Sequence, residues 1–232
     1  MTKLSGTILD GECRPEGRGA GTAPRNRFAL SSSSTVHLAI DMQRMFAEQT
    51  EWYSPGLLAL VPNIAAIAAA LPGRTLFTRF TVPHVAEHAK GQWQKYYRRW
   101  HRFTGAVMDP GLVEVVEELA PYATPDTLID KPTYSVFEVE GFEQRLAALG
   151  TDTILFTGVE TDVCVLASLL TAVDRGYRVV AVADALGSSS AGGHEATLQH
   201  VLPHMPDQVE IVATAGVLAA LAADMREETH AS

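Results

Sequence analysis

The sequence has few of the features that mark several large classes of protein. Only two of its 232 residues are cysteines, Cys13 and Cys164, which excludes a framework of disulfides. No apolar run approaches the roughly 20 residues of a membrane span, and no signal-like apolar segment opens the chain. Its 18 basic residues against 27 acidic ones give a charge of −9, which argues against a nucleic-acid partner. We therefore expect a cytoplasmic protein that binds neither membranes nor nucleic acids.

The remaining composition is typical of one large globular α/β domain. Apolar residues make up 47% and charged residues 19%, and the length allows a sizeable core. Residues 1–34 are rich in Gly, Arg, Pro and Ser and show no helical or strand period. We interpret them as an extended or partly ordered arm, in which Cys13 has no predicted role. The domain itself is expected over residues 35–232.

Short apolar runs alternate with helical patterns along this domain. The predicted strands are residues 36–40, 75–80, 127–130, 153–156, 177–182 and 209–213. The predicted helices are residues 56–71, 111–119, 141–149 and 195–201, with two more starting near residues 161 and 215. Six strands alternating with helices predict a mainly parallel sheet with helices on both faces.

Residues 81–110 interrupt the alternation with a mixture of aromatic and basic side chains. The aromatic ones are Trp93, Tyr96, Tyr97, Trp100 and Phe103, and the basic ones are Lys95, Arg98, Arg99 and Arg102. A lid over a site and a subunit contact both fit this composition. A platform for single-stranded nucleic acid would also fit, but the net charge disfavours it.

Cys164 follows a predicted buried strand and a tight Thr-Gly turn, in the first turn of a predicted helix. Backbone N–H groups there have no intrahelical partner, and the helix dipole favours a thiolate. We therefore expect a lowered pKa, a thiol that attacks carbonyl carbon, and N–H groups that hold the oxyanion. The alternative is a buried cysteine that serves as a small apolar side chain.

Three residues far apart in sequence share one position in this scheme. Asp41, Lys131 and Cys164 each lie at or just beyond the carboxyl end of a predicted strand, where open α/β sheets bind ligands. Asp41 can take the thiol proton and return it to a leaving amine, while Lys131 keeps Asp41 charged. The alternative is that each residue has only a structural role: Asp41 as a helix or turn cap, Lys131 as a surface charge and Cys164 as a packing residue.

The segments around these residues resemble the isochorismatase-like cysteine hydrolases. The similar blocks are 36–43, 130–132 and 158–165, and the resemblance extends over residues 36–222. It implies a three-layer, flavodoxin-like fold, an Asp41–Lys131–Cys164 triad and a cis Val159–Glu160 bond. It also implies an oxyanion hole formed by the N–H groups of Glu160 and Cys164, and a homo-oligomer, either a dimer or a tetramer.

Two features indicate which branch of that superfamily the chain resembles. The presence of Cys164 favours a C–N bond cleaved through a thioester, because vinyl-ether hydrolases of this type commonly lack the cysteine. The Asp-x-His metal motif of nicotinamidases is replaced here by Arg79-Phe80-Thr81-Val82-Pro83-His84. His84 and His88 have a spacing that suits a metal on a helix, but without a third ligand we predict no metal and no cofactor.

Substrate contacts are predicted from residues near the strand ends and in the insertion. The expected pocket walls are Phe46, Trp52, Trp93, Tyr97 and Tyr134. Gln43 and Thr161 are expected to orient the substrate, and Arg79, Arg98 or Arg99 to bind a substrate carboxylate. The alternatives are core packing or subunit contacts for the aromatic residues and surface ion pairs for the arginines.

The sequence thus predicts a metal-independent amidohydrolase that acts on a small amide, ureido or carbamoyl compound. Two alternatives remain open. One is hydrolysis of a vinyl ether with Asp41 as the acid, and the other is a non-catalytic relative that binds a small molecule.

Overall fold

The computed structural model describes residues 28–231, with side chains through Glu227. Most of the predicted arm, including Cys13, lies outside these residues, so its boundary at residue 34 stays a prediction. Within the described part, Leu30 is buried. The backbone N–H and the hydroxyl of Ser32 both donate to Asp224 at 2.7 Å, which ties the start of the described chain to its C-terminal helix.

Strands and helices alternate along the described chain. The strands are β1 (Thr35–Ile40), β2 (Thr75–Phe80), β3 (Leu128–Lys131), β4 (Thr153–Gly158), β5 (Arg178–Leu186) and β6 (Val209–Val212). The α-helices are α1 (Arg44–Ala47), α2 (Leu57–Ala70), α3 (Trp93–Arg99), α4 (Phe142–Ala148), α5 (Leu166–Asp174), α6 (Ala191–Ala196) and α7 (Thr214–Ala231). None of the helices in residues 28–231 combines the length and the apolar character that crossing a membrane requires.

The strands form one parallel sheet in the order β3-β2-β1-β4-β5-β6. The predicted three-layer α/β architecture is confirmed. The strand order 3-2-1-4-5-6 is one of the two common orders of doubly wound α/β sheets. Flavodoxin has the other, 2-1-3-4-5. The chain reverses its direction of winding between β1 and β4, and the loops that leave those strands diverge there. A crevice is expected at that point, on the carboxyl side of the sheet.

Alternate side chains of the central strands pack on opposite faces of the sheet. On one face, Ala39 and Leu155 lie in a buried cluster with residues of α2 and α7. On the other face, Leu38 and Phe156 lie in a cluster with residues of α4 and α5. Because helices cover both faces, the central strands are continuous apolar runs rather than alternating ones.

The predicted helix at residues 111–119 is wrong. This segment forms two 3-10 turns, Pro110–Val113 and Glu117–Leu119, with extended chain between them. Val115 there pairs antiparallel with Gln43, and the Val116 N–H donates to the Met42 carbonyl at 2.9 Å. Those bonds to the loop after β1 replace the intrahelical bonds that an α-helix would have made.

Candidate active site

Three strand ends bring the side chains of Asp41, Lys131 and Cys164 together, as their sequence positions predict. Lys131 is the last residue of β3 and Asp41 directly follows β1, with β2 between them. Strands lie about 4.8 Å apart, so only a side chain as long as lysine spans two of them. Lys131 Nζ donates to Asp41 Oδ2 at 2.7 Å, and the two side chains are only 0% and 1% exposed.

The Asp41 carboxylate is held by side chains from β2 and β3. Asp41 has a φ of +50°, a left-handed conformation that aspartate tolerates better than most residues. The Thr78 hydroxyl donates to Oδ1 at 2.6 Å, and Lys131 occupies Oδ2. Lys131 Nζ also donates to the Thr133 carbonyl at 3.2 Å and lies 5.1 Å from the centre of the Phe80 ring. The carboxylate is therefore fixed in position.

Cys164 enters the crevice through a sharp turn after β4. Gly158 has a φ of +100°, and a Cβ there would lie 2.1 Å from the Ile40 carbonyl oxygen, so only glycine lets β4 approach β1 so closely. The following Val159–Glu160 bond is cis. The predicted helix start is a π-helical turn, Thr161–Val165, that leads into α5. Cys164 lies in that turn, close enough to Asp41 and Lys131 for both side chains to shift the pKa of its thiol.

The electrostatic environment of Cys164 corrects the sequence expectation of a lowered pKa. Burial raises the pKa of the Cys164 thiol, the Asp41 carboxylate raises it further, and the opposing effect of Lys131 is smaller. For Lys131, burial lowers the pKa, but attraction to Asp41 and Cys164 outweighs it and the pKa is raised. The resting group is thus a thiol, rather than a thiolate, beside a buried ion pair.

A cavity of about 340 Å³ opens over Cys164. Its aromatic wall consists of Phe46, Trp52, Tyr53, Phe80, Tyr96, Trp100 and Tyr134, and its other lining residues are Glu51, Glu160, Val163, Cys164 and Ser189. Of the predicted wall residues, Phe46, Trp52 and Tyr134 do line it. The insertion contributes to this lining through Tyr96 and Trp100, and its Phe103 ring stacks on that of Trp52 with centroids 3.8 Å apart.

Trp93 and Tyr97 do not line this cavity, which corrects their assignment as its walls. They lie on a neighbouring face of α3, beside a second cavity of about 520 Å³ that His84 and His88 also line. The helical spacing pairs Trp93 with Tyr97 and also Tyr96 with Trp100, and it does not show which pair faces the site. The second pair lines the cavity, although neither of its residues is among the predicted walls.

Gln43 and Arg79 have structural partners instead of facing the cavity. Gln43 is fully buried, accepts from the Phe80 N–H at 2.7 Å and donates to the Val113 carbonyl at 2.7 Å. Arg79 donates to both carboxylate oxygens of Asp130, at 2.7 and 3.0 Å. Neither side chain is available to a substrate, so both assignments are corrected.

Three other predicted polar residues also have partners within the protein. The Thr161 hydroxyl donates to the Gly187 carbonyl at 2.9 Å and lies 2.9 Å from His194 Nδ1. Arg98 pairs with Glu87 at 3.5 Å, and the Arg99 guanidinium lies 5.2 Å from the centre of the Trp100 ring. None of the three lines the cavity over Cys164.

The two histidines of the insertion lie near one another without a third ligand. The ring centres of His84 and His88 are 6.4 Å apart. Among the described residues, no group of three His, Cys, Asp or Glu side chains is arranged to hold a metal ion.

Comparison with known proteins shows the family to which this chain belongs. A family model described as the isochorismatase domain matches residues 35–214, so the chain belongs to the isochorismatase family of hydrolases. Nicotinamidase 3 of Arabidopsis thaliana is 27% identical over 74% of this chain and 82% of its own. Maleamate amidohydrolase of Pseudomonas putida is 30% identical over 63% and 68%. A cysteine hydrolase structure from Pseudomonas syringae superposes with a TM-score of 0.73 at 25% identity, covering 88% of this chain and 99% of its own.

Proposed function

We propose that this protein is a cysteine-dependent amidohydrolase that cleaves a C–N bond of a small amide, ureido or carbamoyl compound. The observation that carries the proposal is the buried Asp41–Lys131 ion pair beside a thiol that lines a cavity. A buried ion pair adds little to stability compared with well-packed apolar side chains, so its presence beside a cavity favours a chemical role. The named relatives support the same reaction, since two are amide-hydrolysing enzymes and the third is a cysteine hydrolase.

The first half of the reaction forms a thioester at Cys164. Asp41 takes the thiol proton as the sulfur attacks the carbonyl carbon, and the N–H groups of Glu160 and Cys164 hold the oxyanion. When the tetrahedral intermediate collapses, Asp41 returns the proton to the nitrogen, and ammonia or an amine leaves. Lys131 keeps Asp41 ionised before the attack and stabilises the negative charge on sulfur.

The second half regenerates the thiol. Water attacks the thioester carbonyl and gives a proton to Asp41, and the collapse of this second intermediate releases a carboxylic acid. The proton on Asp41 then returns to the Cys164 sulfur. The sum is one amide and one water converted to one acid and one amine, and no other reactant is needed.

A panel of small amides and ureides, with ammonia release as the readout, tests the proposal. Cys164→Ala is expected to reduce turnover by about 10³-fold or more, because the nucleophile is lost. Cys13→Ala is the matched control and is expected to retain activity. Mass spectrometry of the acid-quenched reaction is expected to show an acyl adduct on Cys164 alone. Turnover that survives Cys164→Ala but not Asp41→Asn would contradict the thioester and favour acid-catalysed vinyl-ether hydrolysis.

Assembly and location belong to the proposal as well. We infer a homo-oligomer, either a dimer or a tetramer, acting in the cytoplasm on a small molecule. Size-exclusion chromatography with light scattering tests the first inference, since a single species of 25.0 kDa would contradict it. Fractionation of cells that express the protein tests the second.

A further inference from the structure

The charge of the cavity lining is one-sided. Besides its seven aromatic side chains, the lining holds two carboxylates, Glu51 and Glu160. Among the described residues that line the cavity, none is a lysine, an arginine or a histidine. Asp41 and Lys131 do not line the cavity, and their buried charges offset one another at 2.7 Å. Lys131 Nζ lies 5.1 Å from the Phe80 ring centre and the Arg99 guanidinium 5.2 Å from that of Trp100, but neither residue lines the cavity. A bound molecule therefore meets aromatic rings and negative charge.

Among the described residues, Glu160 has no ion-pair partner, and the partner of Glu51 is exposed to solvent. Glu160 Oε1 accepts from the Ser189 N–H at 3.0 Å, a neutral donor that leaves the negative charge in place. Glu51 pairs with Arg102 at 3.2 Å, but the two side chains are 46% and 71% exposed. An ion pair so open to solvent is weak, so Arg102 removes little of the negative potential at Glu51.

We propose that the substrate carries a positive charge, as an amide with an alkylammonium group. This inference rests on the proposed function, because it names the substrate class of the same site. Aromatic faces attract cations through their quadrupole, and the two carboxylates add a longer-range attraction. An anionic amide would instead approach two carboxylates with no cationic side chain of the lining to receive it.

Three small amides separate charge from shape. Betaine amide carries a trimethylammonium group, 3,3-dimethylbutanamide replaces its nitrogen by carbon and is neutral, and malonamate carries a carboxylate. Binding to Cys164→Ala is followed by tryptophan fluorescence, because Trp52 and Trp100 line the cavity. We expect betaine amide to bind about 10-fold more tightly than its neutral counterpart, and malonamate to bind most weakly.

Turnover of the same compounds tests the carboxylates. The readout is the ratio of kcat/KM for betaine amide to that for 3,3-dimethylbutanamide, since comparing this ratio across variants cancels their intrinsic reactivities. Glu51→Gln is expected to lower the ratio about threefold or more, and Arg102→Gln is expected to raise it. Glu143→Gln is the matched control, because it removes a carboxylate that pairs with Arg175 at 3.2 Å and lies outside the cavity lining.

Each outcome separates this inference from the proposed function. Equal or reversed affinities, no measurable binding of betaine amide, or a ratio unchanged by Glu51→Gln would overturn the preference for cations. Amides that are hydrolysed with malonamate preferred would overturn it while the hydrolase mechanism stands. Tighter binding of betaine amide with no hydrolysis of any amide would support the preference and refute the hydrolase.

Discussion

Two polar side chains are buried in different ways, one within β1 and the other directly after it. His37, within the sheet, is fully buried between two threonine hydroxyls, with Nδ1 3.2 Å from Thr75 and Nε2 2.8 Å from Thr157. Burial lowers the pKa of His37 to about 3, so the ring is neutral at pH 7. Asp41, at the end of the same strand, is equally buried but forms an ion pair with Lys131.

The difference shows where this fold tolerates charge. In the sheet interior, neutral hydroxyls satisfy the imidazole and no charge has to be buried. At the carboxyl edge, two charges are buried together, an arrangement that apolar residues could replace without loss of stability. The charged region is also the one beside Cys164, which lines a cavity, so the buried charge lies where the chemistry is proposed.

The largest expected effect comes from removing the charge at Asp41. Asp41→Asn keeps the size of the side chain but cannot accept the thiol proton, so we expect kcat/KM for the best amide of the panel to fall by about 10²- to 10⁴-fold. His37→Gln, on the same strand, is expected to change kcat/KM by less than about 10-fold, because His37 does not line the cavity. Circular dichroism checks that both variants are folded. Similar losses in the two variants would remove the functional distinction between the two regions.

The variant Lys131→Met tests how the buried charge at Asp41 affects the stability of the fold. It leaves Asp41 buried without a counter-charge, and we expect the free energy of unfolding in urea at pH 7 to fall by about 3–5 kcal/mol. The double variant Asp41→Asn/Lys131→Met removes both charges and is expected to recover part of that loss. A double variant no more stable than Lys131→Met alone would mean that the ion pair is not what the single variant breaks.

The positions of the three clustered residues could be predicted from sequence because they depend on topology. The carboxyl ends of parallel strands lie along one edge, so residues that follow different strands meet there whatever their separation in sequence. The tight turn at Gly158 could also be predicted, because it depends on the local Thr-Gly sequence after the strand. Gly158 places this turn, which precedes Cys164, against the end of β1.

What the sequence could not show depends on side-chain directions and on burial. The phase of α3 decides whether Trp93 or Tyr96 faces the cavity, and both fit one helical pattern. The pKa of Cys164 is raised because the effects of burial and Asp41 outweigh that of Lys131, a balance that no local sequence pattern contains. Gln43 and Arg79 are polar residues near the right edge, but their hydrogen-bonding partners become visible only in the folded chain.

The smallest expected effect is the pH dependence of stability that comes from the neutral region around His37. Because the pKa of His37 falls from 6.5 to about 3 on folding, the unfolded chain binds a proton between these values that the folded chain does not. Stability therefore decreases as pH falls through this window, by about 1.4 kcal/mol per pH unit from this one group.

His37→Gln removes that contribution, so the difference in unfolding free energy between wild type and variant is expected to shrink steadily from pH 6 to pH 4 in urea titrations. His101→Gln, at an exposed position, controls for removal of a surface imidazole. A difference that stays constant over this range would mean that His37 is charged in the folded protein, and that β1 buries charge in both regions.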